Sequence, residues 1–287
     1  MKESENVQVL KEEFVIRDEL KKEGLNIGRY FGALSPWILF TYIILGSLLV
    51  IGLGFWTGHL LFRSSNEATV DSIDAVVGAI LGLLGFILGF TFSLTWSRFG
   101  SRNSLVVLQA KLLGTCYLRT SLLPQKLQPS LRKLFREYVG VLLELQTAGH
   151  VDESVMKIND LHIDIWNQTT LLVREDMDSE LRSLFTSAVN ELINITEERK
   201  IVGLVYSIPE PIWRILLLLI GMGMFAFGYQ IGVSGVNRIA QVLLLPIPFG
   251  LLIVLISDLN STRIHPRLKV TKKPLEDVLE MMGKEIA

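Results

Sequence analysis

A single cysteine, Cys116, stands in the 287 residues. That excludes an internal disulfide and any metal cluster resting on thiolates, and it suits a reducing compartment. Histidine is scarce too, and His59, His150, His162 and His265 fall on separate stretches, with no ligand spacing among them. No nucleophile elbow, phosphate-binding glycine loop or His-Glu metal helix occurs. The chain therefore does not read as an enzyme, and no catalytic residue, metal or cofactor is expected. Neither sign of charge dominates: 28 basic against 29 acidic residues give a net charge of -1, which says little about partners. No nucleic-acid partner is expected. Strand signals are missing, and the first residues lack the apolar core and small-residue cleavage site of a secretory signal.

What the chain has is long apolar runs. Hydrophobic residues make up 49% of it and the mean hydropathy is +0.42. They are concentrated in blocks at both ends and sparse in the middle, which is the distribution of a polytopic membrane protein. An N-terminal segment, 1–36, precedes a first pair of spans at 37–62 and 73–97, with Trp37 and Trp56 toward the two interfaces. Asp71 or Ser72 is expected to cap the second. A second pair follows at 212–233 and 239–259, within 209–259, and a basic tail occupies 260–287. Pro246 and Pro248 do not exclude the fourth span, because neighbouring helices can accept freed carbonyls. Arg63 and Arg238 are the bases of the two short loops, whereas Arg98, Arg102 and the tail lie on the other side, so both termini are expected in the cytoplasm.

The stretch from Ile73 to Trp96 organises the rest. Gly78, Gly82, Gly85 and Gly89 recur at spacings of four, three and four and share a helical face, where missing side chains let another backbone come close. A second line at the same periodicity joins Gly82, Phe86, Phe90, Ser93 and Ser97, with Arg98 and Arg102 where the membrane should end. The second line suits a pore lining, although glycine faces in membrane helices serve packing more often than permeation. Leu105, Leu108, Leu112 and Cys116 keep the helical pattern, so the helix is expected to continue as a stalk until Pro124. Amphipathic helices over Pro129–Gln146, 151–173 and 179–203 complete an all-α bundle at 98–208, built around that stalk. The acids Glu175, Asp176, Asp178 and Glu180 read as a solvated first helical turn rather than a cation site.

The run Phe86-Ile87-Leu88-Gly89-Phe90, followed by Leu94 and Arg98-Phe99, resembles the pore helix of bestrophins, in which a Phe-x-Leu-Gly-Phe stretch forms a hydrophobic neck. Gly82 falls where bestrophins carry a third, branched neck residue. The wider layout is similar to the bestrophin-like domain family of bacterial membrane proteins: two spans, a helical block with Leu123-Pro124 and Tyr138-Val139, a Pro-rich approach from Ile208 to Trp213, two more spans, then Leu268 to Val270 in the tail. The acidic calcium clasp of animal bestrophins has no counterpart. The resemblance implies a homo-oligomer, a pentamer, in the bacterial inner membrane, passing inorganic anions through a neck at Phe86, Phe90 and Gly82. Ser93 and Ser97 would line the pore, Arg98 and Arg102 would stand at its cytoplasmic mouth, and Gly78, Gly85 and Gly89 would pack helices. The rival reading is a non-conducting membrane scaffold or sensor whose helical bundle binds a protein partner.

Overall fold

The computed structural model describes residues 27–61, 67–145, 151–175, 177–205, 208–234, 239–261 and 270–283. Among them the regular structure is helical throughout: α1 (Ile27–Ala33), α2 (Pro36–Leu61), α3 (Glu67–Arg119), α4 (Gln128–Leu145), α5 (Val151–Leu171), α6 (Ser179–Lys200), α7 (Glu210–Ser234), α8 (Ile239–Leu244), α9 (Pro246–Asn260) and α10 (Lys273–Gly283). A 3-10 turn, Thr120–Leu122, ends α3, and a π-helical segment, Ile201–Val205, follows α6. Residues 1–26 of the N-terminal segment, the loop bases Arg63 and Arg238, His150, Asp176, His265 and the segment Leu268-Lys269 lie outside the described residues.

Among the described residues four helices are long and apolar enough to cross a membrane, at Pro36–Leu60, Ile73–Leu122, Glu210–Ser234 and Ile239–Asn260. The second is not a simple span. At 1.5 Å per residue α3 is about 80 Å long against a hydrocarbon core of roughly 30 Å, so more than half of it must lie outside the lipid. It also begins earlier than expected, and Asp71 and Ser72 sit inside the helix rather than capping it. Pro246, having no N–H, divides the fourth apolar run into α8 and α9; Leu245 before it still donates to the Gln241 carbonyl at 2.9 Å.

The chain forms two compact units, 1–88 with 208–257, and 89–207 with 258–287. In the first, the most extensive helix pair is α2 with α7. Glycine makes it possible. A Cβ on Gly58 would stand 2.5 Å from the Tyr229 carbonyl oxygen, and those on Gly54, Gly228 and Gly232 would strike the backbones of Phe225, Ile51 and Phe55. Gly54 and Gly58 on one helix and Gly228 and Gly232 on the other are small-xxx-small pairs that bring two backbones together. Gly78, Gly82, Gly85 and Gly89 take no part in this packing, since a Cβ on any of them meets no atom of the chain within 4 Å. Asp74 accepts a hydrogen bond from the buried Gln230 of α7. At the start of α7, Glu210 accepts from the Ile27 N–H at 2.9 Å and Phe31 stands edge-on to the buried Trp213, seating the short α1, which hydropathy did not mark.

The second unit has an ordinary hydrophobic core. Leu113 and Cys116 of α3, Leu131, Phe135 and Leu142 of α4, Ile158 and Ile165 of α5, and Phe185, Val189 and Leu192 of α6 are all buried in it. Pro129 lies in the first turn of α4, and Asp178 caps α6 by accepting from the N–H groups of Glu180 and Leu181. Glu175, from the same acidic run, reaches Lys126 at 3.4 Å. The tail is not simply polar: α10 buries Leu275 and Met282 in this core, and the Met282 carbonyl accepts from Tyr117 Oη at 2.9 Å and from Arg136 at 2.7 Å. The apolar spacing of Leu275, Val278 and Met282 was the available signal.

Candidate functional site

From Ile73 onward helix α3 has two unlike sides. Val77, Leu84, Leu88, Thr91 and Thr95 are buried, and the stripe runs on through Val106, Gln109, Leu113 and Thr120. At roughly 100° per residue, Phe86 and Phe90 point the opposite way. Their relative exposures, 73% and 59%, are those of side chains that touch little of their own chain. Gly82, Ser93 and Ser97 continue this face and are also exposed. Gly78, Gly85 and Gly89 lie beside it, and a Cβ on any of these glycines would meet no atom within 4 Å. The residues read from the sequence as neck, lining and packing positions therefore form one uncovered surface of small, aromatic and hydroxyl groups.

Arg98 and Arg102 are not on that surface. Arg102 follows Leu84 by about five turns and so falls on the buried side. Its guanidinium donates to the Leu259 carbonyl and, at 3.4 Å, to that of Ser261, at the C-terminal end of α9, where carbonyls lack helical partners and a cation suits the dipole. Arg98 is half-buried, and one of its guanidinium nitrogens is buried with no hydrogen-bond partner.

A second feature escaped the sequence reading, because its members come from four separate helices. Gln109, Tyr138, His162 and Thr196 are buried together in the second unit. Thr196 donates to the Leu192 carbonyl at 2.7 Å and accepts from Gln109 Nε2 at 2.8 Å; Tyr138 Oη is 2.9 Å from Thr196 Oγ1 and 2.7 Å from His162 Nε2. Arg199 donates to the other end of the Gln109 amide. With the Thr196 proton on Leu192, the Tyr138 proton goes to Thr196, and His162 donates from Nε2 as a neutral imidazole. Burial, followed by the charge of Lys200, lowers the His162 pKa from 6.5 to about 4. Burial likewise raises the Tyr138 phenol and brings Arg199 down to about 10. The network holds a neutral histidine in a packed core.

The consequence is acid sensitivity. The unfolded chain takes up a proton on His162 as pH falls through 6.5, whereas the folded chain resists until about 4. Stability is complete above 6.5 and is lost across that window, by at most about 3 kcal/mol. His162→Gln, which retains a donor and an acceptor, should flatten this part of the pH dependence. Melting of the detergent-solubilised protein between pH 7 and pH 4.5 measures it; an unchanged slope in the variant would assign the acid loss to other groups.

The other histidine described, His59, stacks on Phe55 at 5.9 Å. Among the described residues no group of three or more histidine, cysteine or acidic side chains is placed to hold a metal ion.

The described residues define a class: helical structure throughout, with four helices fit to cross a membrane, one of them far longer than a bilayer requires. The Bestrophin-like domain family model matches residues 42–261, and the chain belongs to that family. No curated protein and no solved structure matches it.

Proposed function

We propose that the protein is a bestrophin-like ion channel, in which copies of the chain assemble about an axis with the exposed face of α3 inward. The observation that carries this reading is that face itself. Phe86, Phe90, Ser93 and Ser97 turn away from their own chain in a helix whose other side is fully used. A closed ring of identical chains, a pentamer by analogy with bestrophins, covers such a surface and encloses a path along it. Phe86 and Phe90 then make two aromatic collars, Gly82 leaves the outer end of the neck wide, and Gly78, Gly85 and Gly89 admit the neighbouring copy. Arg98 and Arg102 add positive potential near the inner end, Arg102 from its fixed seat on α9. The permeant species is a chloride-like anion. The second unit lies in the cytoplasm with both termini, in a bacterial inner membrane.

Iodide influx into liposomes holding the purified protein tests conduction. The channel reading expects uptake above that of empty liposomes. One observation favours the scaffold reading: Met156, Ile163 and Trp166 leave an exposed apolar stripe on α5, a surface a protein partner could cover. A scaffold expects no uptake.

A further inference from the structure

We propose that Lys111 is the anion-binding residue of the inner pore, its ammonium groups forming a ring that holds a monovalent anion after the aromatic collars. The inference rests on the channel reading and adds to it the group that selects for anions.

Three observations point to this residue. Lys111 follows Ser93 by about five turns, so it continues the face that carries Phe86, Phe90 and Ser97. It is exposed there, as are Ser104 and Leu108 before it and Leu118 after it. Next, the surrounding sequence is free of acids: no aspartate or glutamate occurs from 75 to 136, whereas eight bases do, at 98, 102, 111, 119, 126, 132, 133 and 136. Four of these bases, Arg98, Arg102, Lys111 and Arg119, lie on α3 itself, and a pore helix with bases and no acids beyond Asp74 attracts anions and repels cations.

Finally, most of those bases are tied elsewhere. Arg102 is held on the Leu259 and Ser261 carbonyls, Arg119 on the Leu184 carbonyl at 2.8 Å, and Lys126 on Glu175 at 3.4 Å. Arg132 bonds to Thr120 Oγ1 at 3.1 Å and Arg136 to Met282, and both lie over the Tyr117 ring. Arg98 is half-buried, and Lys133 is exposed on α4 rather than α3. Lys111 alone combines the α3 face with a side chain for which no ion pair is found among the described residues. Leu108 and Leu118, one turn before it and two after, give the ring apolar walls, which keep water from screening the charge as it does at an open surface.

The test is the reversal potential of full-length protein in liposomes or planar bilayers under a potassium chloride gradient. Lys111→Gln should lower the chloride-to-potassium permeability ratio several-fold, and Lys111→Glu should move the reversal potential to the cation side. Lys111→Arg and Lys133→Glu should leave it near wild type. If Phe86→Ala with Phe90→Ala raises flux but Lys111→Glu leaves the reversal potential unmoved, Lys111 is a solvated surface lysine and the channel reading stands without it. If no variant, nor the wild type, conducts, the channel reading and the Lys111 ring fall together.

Discussion

Gly58→Leu and Gly228→Leu, made singly, should each leave no folded protein after detergent extraction. Overpacking a core usually costs roughly 1–3 kcal/mol, because neighbouring side chains change rotamer to make room. At these positions the obstacle is main chain. A Cβ on Gly58 would lie 2.5 Å from the Tyr229 carbonyl oxygen, and one on Gly228 would overlap the Ile51 peptide, so α2 and α7 have to separate along their contact. That contact is the most extensive between two helices among the described residues. Gly46 and Gly52 supply the control on the same helix, since a Cβ there meets nothing within 4 Å. Gly52→Ala should retain the fold and melt slightly higher, alanine being favoured over glycine in a helix by up to about 1 kcal/mol. Size-exclusion profiles of the extracted proteins distinguish the two groups. A Gly228→Leu protein that elutes and melts like wild type would mean that α2 and α7 do not pack as described.

The helices were legible because apolar runs and 3.6-residue periodicity are local properties. The run after Pro36, the stalk beyond Trp96 and the amphipathic pattern of Leu131, Phe135 and Tyr138 each announced themselves without knowledge of what they would touch. Which glycines touch was not legible. Gly78, Gly82, Gly85 and Gly89 make the denser pattern but meet no atom within the single chain, while the sparser Gly54/Gly58 and Gly228/Gly232 pairs bring two of its helices together. Spacing tells which face is smooth, but the partner of that face is a tertiary fact.

The same limit explains the arginines. Arg98 and Arg102 sit at the expected end of the apolar run, but their angular position, and the Leu259 and Ser261 carbonyls at the end of α9, take Arg102 to the opposite side from Phe86 and Phe90. The network of Gln109, Tyr138, His162 and Thr196 joins residues far apart in sequence, and no single stretch of sequence announces it.

Phe86→Ala together with Phe90→Ala should raise ion flux several-fold, and this expectation goes to the centre of the account. Two aromatic collars facing a common axis make a constriction that water leaves and hydrated ions cross with difficulty; removing the rings widens it and lets water in. The alternative use of a phenylalanine is packing, and a buried Phe→Ala change costs roughly 3–5 kcal/mol. With exposures of 73% and 59% in the single chain, these two rings contribute little to the chain's own core, so the variant should fold and reach the membrane. Flux and stability therefore separate the readings. The decisive measurement is iodide influx into liposomes containing equal amounts of assembled wild-type and double-mutant protein. The channel account predicts uptake above empty liposomes for the wild type and several times faster uptake for the variant; a variant that assembles normally, melts earlier and is as leak-tight as wild type would contradict it.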